Sequence, residues 1–316
     1  MKLYRTISSL TTGIAVLALL LEQPGPASAS TAGQGSDAFA VIAAASPSIK
    51  SLTQNRNGPH SVKIPANSSG LVEVTGRSGK SLSFGLPFPE RAAEARSIGK
   101  GLVAFDNGNG STTVPVPQSD DSLAVHTIIE SADAPSRYAY DIGLQSAGKM
   151  KVNEDGSVSI IGSDGAFLGG FAKPWATDAA GVSVPTRYEV HGRKLIQVVA
   201  HSDPKIQYPV VADPWLGIDL ISGLPWITYT PRGGVVNLNP TPWGRQFNGL
   251  PTHNAHVDEL RTKLNRVGWN LTPTIQEQYL CHVVGNVFEG GTYNLESWRP
   301  VMYWGAQLNL TYRCNP

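Results

Sequence analysis

The chain has 316 residues, with 25 Lys and Arg against 24 Asp and Glu, a formal net charge of +1. That balance leaves no basic footprint for a nucleic acid. Charged residues make up 16% of the chain, below the roughly 25% of ordinary soluble domains. The 33 Gly and 23 Pro point to many turns, and so to β-rich structure rather than helical bundles.

At the N-terminus, Lys2 and Arg5 precede an apolar run densest over residues 14–21, and Ala27-Ser28-Ala29 follows as a small-residue cleavage site. This is the three-part pattern of a secretory signal peptide, over residues 1–29. Ser8, Ser9, Thr11, Thr12 and Gly13 interrupt the charge-free stretch, which falls short of the roughly 20 apolar residues a spanning helix needs. Pro24 and Pro26 then end any helix. A cleaved signal is the reading adopted, a retained anchor the alternative; after cleavage no transmembrane anchor is expected. Export places Cys281 and Cys314, the only cysteines, in an oxidising compartment, where they read as a disulfide.

Residues 30–60 read as a flexible leader, with residues 38–46 Ala-rich enough for a short helix. Residues 61–214 read as a β-rich module. Val62 and Ile64, Val72 and Val74, Leu82 and Phe84, then Tyr138, Tyr140 and Ile142 alternate with polar neighbours. Met150 and Val152 run into Asn153-Glu154-Asp155-Gly156 before Val158 and Ile160, a hairpin with Asp-Gly at the turn. Tyr188 and Val190, then His191-Gly192, then Leu195, Gln197 and Val199 read as a second. A period of two buries one face of each strand, which predicts an antiparallel sandwich or rolled sheet. Residues 174–181 read as a long loop in which Trp175 plugs the core. Tyr208-Pro209-Val210-Val211-Ala212-Asp213-Pro214 reads as the module boundary.

Residues 215–316 read as a small disulfide-bonded α+β C-terminal domain. Residues 218–221, 226–229 and 235–238 are strand candidates, the last two joined by a turn at Arg232-Gly233-Gly234. A first helix is expected from an N-cap near Asn254 to a stop at Gly268. Val257, Leu260, Leu264 and Val267 line its apolar face, and Glu259 and Lys263 pair on the solvent side. A second helix is capped by Thr272, has Pro273 at its first position and ends at Gly285. Leu308, Leu310 and Tyr312 read as an alternating terminal strand that the disulfide ties to this helix.

Candidate chemistry is confined to this tail. His253 and His256, an H-x-x-H pair with His282 as a third ligand, are the metal candidates; with no supporting Cys or carboxylate spacing, no metal is assigned. His282 could act as a general base with Glu277 or Glu296, although capping explains Glu277 as well. Trp243 with Arg245, and Trp298 with Arg299, are two Trp–Arg pairs suited to an anionic or glycan-like ligand; Arg299 could equally bridge Glu296. No nucleophile elbow, phosphate loop, dinucleotide fingerprint or calcium loop is present, so no cofactor is assigned.

Gln278-Tyr279-Leu280-Cys281-His282, Asn294-Leu295-Glu296-Ser297-Trp298-Arg299-Pro300 and Cys314-Asn315-Pro316, with Pro242-Trp243-Gly244-Arg245 upstream, resemble domain of unknown function family 2599 over residues 216–316. The resemblance implies an exported, mostly actinobacterial protein with Cys281 and Cys314 paired. It carries no activity with it. Ser297 stands where that family is expected to have Pro. The stretch ending at Pro214 is similar to a module that precedes varied C-terminal domains, some of them toxins, in exported bacterial proteins. Two functional expectations follow: a secreted binding protein in contact with the cell envelope or a glycan, and an exported effector with a small hydrolase-like tail.

Overall fold

The computed structural model describes residues 31–45, 62–91, 93–143, 148–285 and 291–316. The expected signal peptide and the rest of the leader lie outside them. Among the described residues no helix is long and apolar enough to cross a membrane.

The β-rich part is two antiparallel sheets packed face to face. The smaller has six strands, ordered Val62–Lys63, Leu71–Thr75, Ser81–Gly85, Arg137–Gly143, Lys194–Val199 and Thr186–His191. The larger has ten, with Leu123–Ile129 at its centre. Their inner faces interdigitate into one core that holds Val72, Phe84, Tyr138 and Tyr140 from the first sheet and Phe105, Val125, Val158 and Phe171 from the second. The sandwich is what the period-two alternation predicts. The hairpin of Lys149–Val152 with Val158–Ile161 turns at Gly156, whose φ of 88° is open to glycine without strain. Its side-chain clasp occurs twice. Asn153 Nδ2 donates to Ser157 and Ser159, and Asn107 Nδ2 donates to Ser111 and Thr113.

Two stretches differ from the sequence reading. Trp175–Thr177, expected within a loop, is a strand paired with Val210–Asp213. The short helix expected at residues 38–46 is present as the end of a longer helix, α1 (Thr31–Ala45), but it is docked rather than part of a flexible leader: its Ile42 is buried on the outer face of the large sheet among Val114, Val116, Ile128 and Val211. That face is apolar because the sheet is buried on both sides; Leu123–Ile129 is buried at every position. Strand Trp215–Gly217 completes the large sheet by pairing with Leu123–Ile129 and Phe167–Phe171, three residues past the expected boundary at Pro214.

In the tail, the short helix α2 (Pro242–Gln246) is followed by α3 (His253–Arg266) and α4 (Pro273–Gly285). Both long helices pack through Leu260, Leu264, Ile275, Tyr279 and Val283 onto a three-stranded sheet of Ile221–Thr230, Gly233–Pro240 and Tyr293–Glu296. Thr272 Oγ1 accepts from Ile275 N, and Gly268 takes a φ of 72° beyond α3, as the caps predict. Cys281 and Cys314 are joined, with 5.4 Å between their Cα atoms. The expected terminal strand is absent. Asn309 Oδ1 accepts from Thr311 N and Tyr312 N, a local turn that outcompetes extension. The chain ends in turns, and a final one-turn helix, α5, spans Trp304–Gln307.

The solvent-side pair Glu259–Lys263 is the sharpest departure. Both side chains are buried, 3.0 Å apart. The Glu259 carboxylate accepts from Leu220 N and Ile221 N at 2.9–3.0 Å, and Lys263 donates to the Ile221 carbonyl. The crossing strand supplies backbone groups that need partners, and this pair satisfies them.

Candidate functional site

The tail residues named from sequence are almost all engaged in holding the fold. Trp243 is fully buried at the junction of the two modules. Its indole stacks on Phe247 at 4.7 Å and Phe167 at 6.4 Å, its Nε1 donates to the Trp215 carbonyl, and its backbone N–H donates to Asp120. It has no surface to offer a ligand. The indole lies so close to Gly217 that a Cβ there would sit 2.0 Å from it. Arg245 lies 5.6 Å from the Tyr293 ring centre and donates to the Gly291 carbonyl. Arg299 pairs with Glu296 across one turn, the alternative read from sequence, and Trp298 is half-buried with its Nε1 unpartnered.

The histidines separate. His256, a metal candidate from sequence, is a core residue: Nε2 donates to the Phe247 carbonyl at 2.7 Å and Nδ1 faces the Tyr279 hydroxyl at 3.0 Å. With both nitrogens engaged it is no metal ligand, and burial pulls it down to about 4. Among the described residues no group of three or more His, Cys, Asp or Glu could hold a metal. His253 packs edge-on against Trp304, and burial lowers its pKa against the opposing charge of Glu277. Glu277 itself accepts from Trp304 N at 2.9 Å and so caps α5. His282 stacks on Tyr293 at 4.8 Å, is pulled down to about 4 by burial, and leaves Nε2 unpartnered. Glu277 faces α5 and Glu296 faces Arg299. Neither carboxylate is a hydrogen-bond partner of His282.

A second location was not named from sequence. A cavity of about 360 Å³ opens on the outer face of the large sheet, beside the end of α1 at Ala45. Alternation along Leu123–Ile129 turns Val125 into the sandwich core and Ala124 and His126 outward to this cavity. Asp213 comes from the neighbouring strand, opposite Trp175. Trp175, Trp215, Gln118 and Gln246 complete the walls, with exposed Lys173 at the rim. His126 and Asp213 form the floor, 1% and 2% exposed. Both nitrogens of His126 and Oδ1 of Asp213 have no hydrogen-bond partner. Burial holds His126 down to about 4 and pushes Asp213 well above the ordinary carboxyl range, opposed only by contacts to Trp175. The signal available in the sequence was His126 itself, a titratable group inside the apolar run Leu123-Ala124-Val125-His126-Thr127-Ile128-Ile129.

Residues 222–316 match the family described as Protein of unknown function (DUF2599). No curated protein and no solved structure matches the chain. The DUF2599 match takes in Trp243, Arg245, the long helices and both cysteines. It begins one residue after Ile221, at the point where the Glu259–Lys263 pair grips the chain. Of the cavity residues, Gln246 lies within the DUF2599 stretch, while His126, Trp175, Asp213 and Trp215 precede it, so the match says nothing of those four.

Proposed function

We propose that the protein is exported and acts outside the cytoplasm as a small-ligand binding protein, in contact with the cell envelope or its glycans. The N-terminal pattern of Lys2, Arg5, the apolar run and Ala27-Ser28-Ala29, together with the Cys281–Cys314 bond, supports export. In this reading the sandwich, completed by strand Trp215–Gly217, is the main ligand-bearing scaffold, and the stapled tail domain lends it Gln246. The observation that carries the binding reading is the walled cavity lined by the buried His126 and Asp213, whose two imidazole nitrogens and Oδ1 have no hydrogen-bond partner. A cavity with a few convergent polar groups is the default place for a small ligand.

The effector reading is supported by one feature, the unpartnered Nε2 of His282. One experiment separates the two. The full chain is expressed with its export signal and, separately, without it in a bacterial cytoplasm. The binding reading predicts healthy growth in both cases. Growth arrest relieved by His282→Ala would overturn it in favour of a catalytic tail.

A further inference from the structure

The walls of the cavity are fixed before any ligand arrives. The Trp215 indole is held by its Nε1 donating to Ser122 Oγ at 2.8 Å. Gln118 is held by its amide donating to the Val116 carbonyl, which leaves its side-chain oxygen as the group to offer. Trp175 is set by the pairing of its strand with Asp213 and packs 5.9 Å from the His126 ring. Such preorganisation lowers the ordering cost of binding.

The floor has a definite chemistry. No cation pairs with Asp213; the single lining cation, Lys173, is exposed at the rim. A buried carboxyl without a cation stays protonated, and a buried imidazole without an anion stays neutral. In those states each group can both donate and accept a hydrogen bond, as an amide can. Hydroxyl and amide groups on a ligand match that pattern. A charged ligand would leave its ion unpaired in a desolvated site, which is costly. The two indoles supply flat apolar surface for the face of a ring.

We propose that this cavity binds a small uncharged ring compound bearing hydroxyl or amide groups, the chemistry of a neutral sugar, with Trp175 and Trp215 against the ring and His126 and Asp213 reading its polar groups. The proposal rests on the binding reading above and names its ligand class. An ordered water bridging the floor is the competing occupant.

The test uses the full exported chain and three related sugars: neutral N-acetylglucosamine, cationic glucosamine and anionic glucuronate. Binding is read by calorimetry, tryptophan fluorescence and melting temperature. N-acetylglucosamine should bind about tenfold or more tightly than either charged sugar. Asp213→Asn, a neutral isostere, should retain that affinity. His126→Ala should weaken it about tenfold or more, and Trp175→Ala, at a half-buried wall, gives the same readout if His126→Ala does not fold. Preference for glucosamine, with affinity lost in Asp213→Asn, would overturn the neutral class and keep the cavity as a binding site. Native mass spectrometry of the protein recovered from producing cells separates the remaining outcomes. A small non-covalent adduct absent from Trp175→Ala, without any sugar response, would overturn the sugar class alone. Neither adduct nor sugar response would mean water is the only occupant and would overturn both readings.

Discussion

Replacing Glu259 with Ala should destabilise the protein by about 3–5 kcal/mol, the range for breaking a buried ion pair from one side. The carboxylate accepts from two backbone N–H groups, Leu220 and Ile221, and pairs with Lys263 in a site where both side chains are about 5% exposed. Removing it leaves two buried donors and a buried ammonium with only the Ile221 carbonyl as partner. Hydrogen bonds to a charged group contribute roughly 1.5–3 kcal/mol each, which by itself reaches the same range. Burial also raises the pKa of Glu259, a strain that its removal relieves, so the sum of separate losses overstates the effect. Glu259→Gln keeps one acceptor oxygen and should cost less, about 1–3 kcal/mol. Replacing both residues with Met should not restore stability, because an apolar pair cannot satisfy Leu220 N and Ile221 N. The assay is urea denaturation followed by circular dichroism, for the two single variants and the double variant. A loss under about 1 kcal/mol for Glu259→Ala, or a double Met variant as stable as wild type, would refute the argument that this pair serves the crossing backbone.

Stability should fall as pH drops from about 6.5 to about 4, because His126, His256 and His282 have folded pKa values near 4 against an ordinary 6.5. In that window the unfolded chain binds the extra protons, and each histidine contributes on the order of 3 kcal/mol that is lost by its lower end. Asp213 is raised and acts with the opposite sign, so Asp213→Asn should steepen the fall, as urea midpoints across the window would show. Breaking the disulfide, by Cys281→Ser or by reduction, opens a loop of 33 residues and should lower stability by about 3–4 kcal/mol in the chain-entropy model. Unfolding in the presence and absence of reductant checks this. Gly217→Ala would put a Cβ 2.0 Å from the Trp243 indole, and should cost about 1–3 kcal/mol by overpacking, with a shift in tryptophan emission as the junction loosens.

The sandwich was readable because alternation such as Tyr138, Tyr140 and Ile142 records a one-sided burial, and because Gly156 and Gly192 mark the turns between paired strands. The end of α3 and the start of α4 were readable because Gly268, Thr272 and Pro273 act locally, whereas Asn254, expected to cap α3, lies inside the helix one residue past its start at His253. What was hidden depended on partners distant in sequence. Glu259 and Lys263 have the spacing of a surface pair, and only the arrival of Leu220 and Ile221 makes them buried. Trp243 and Arg245 look like a ligand-binding pair until Gly217, Phe167 and Tyr293 close around them. Leu308, Leu310 and Tyr312 alternate like a strand, yet Asn309 caps its own turn. The cavity was least legible of all. His126 and Asp213 are far apart in sequence, and only the pairing of Val210–Asp213 with Leu123–Ile129 brings them to one face.

The most direct measurement of the central claim is a crystal structure of the full exported chain soaked with N-acetylglucosamine. The account predicts the sugar in the cavity, its ring face against Trp175 or Trp215 and its hydroxyl or amide groups hydrogen-bonded to His126 and Asp213. A cavity holding ordered water alone, with the soaked sugar nowhere near these side chains, would contradict it.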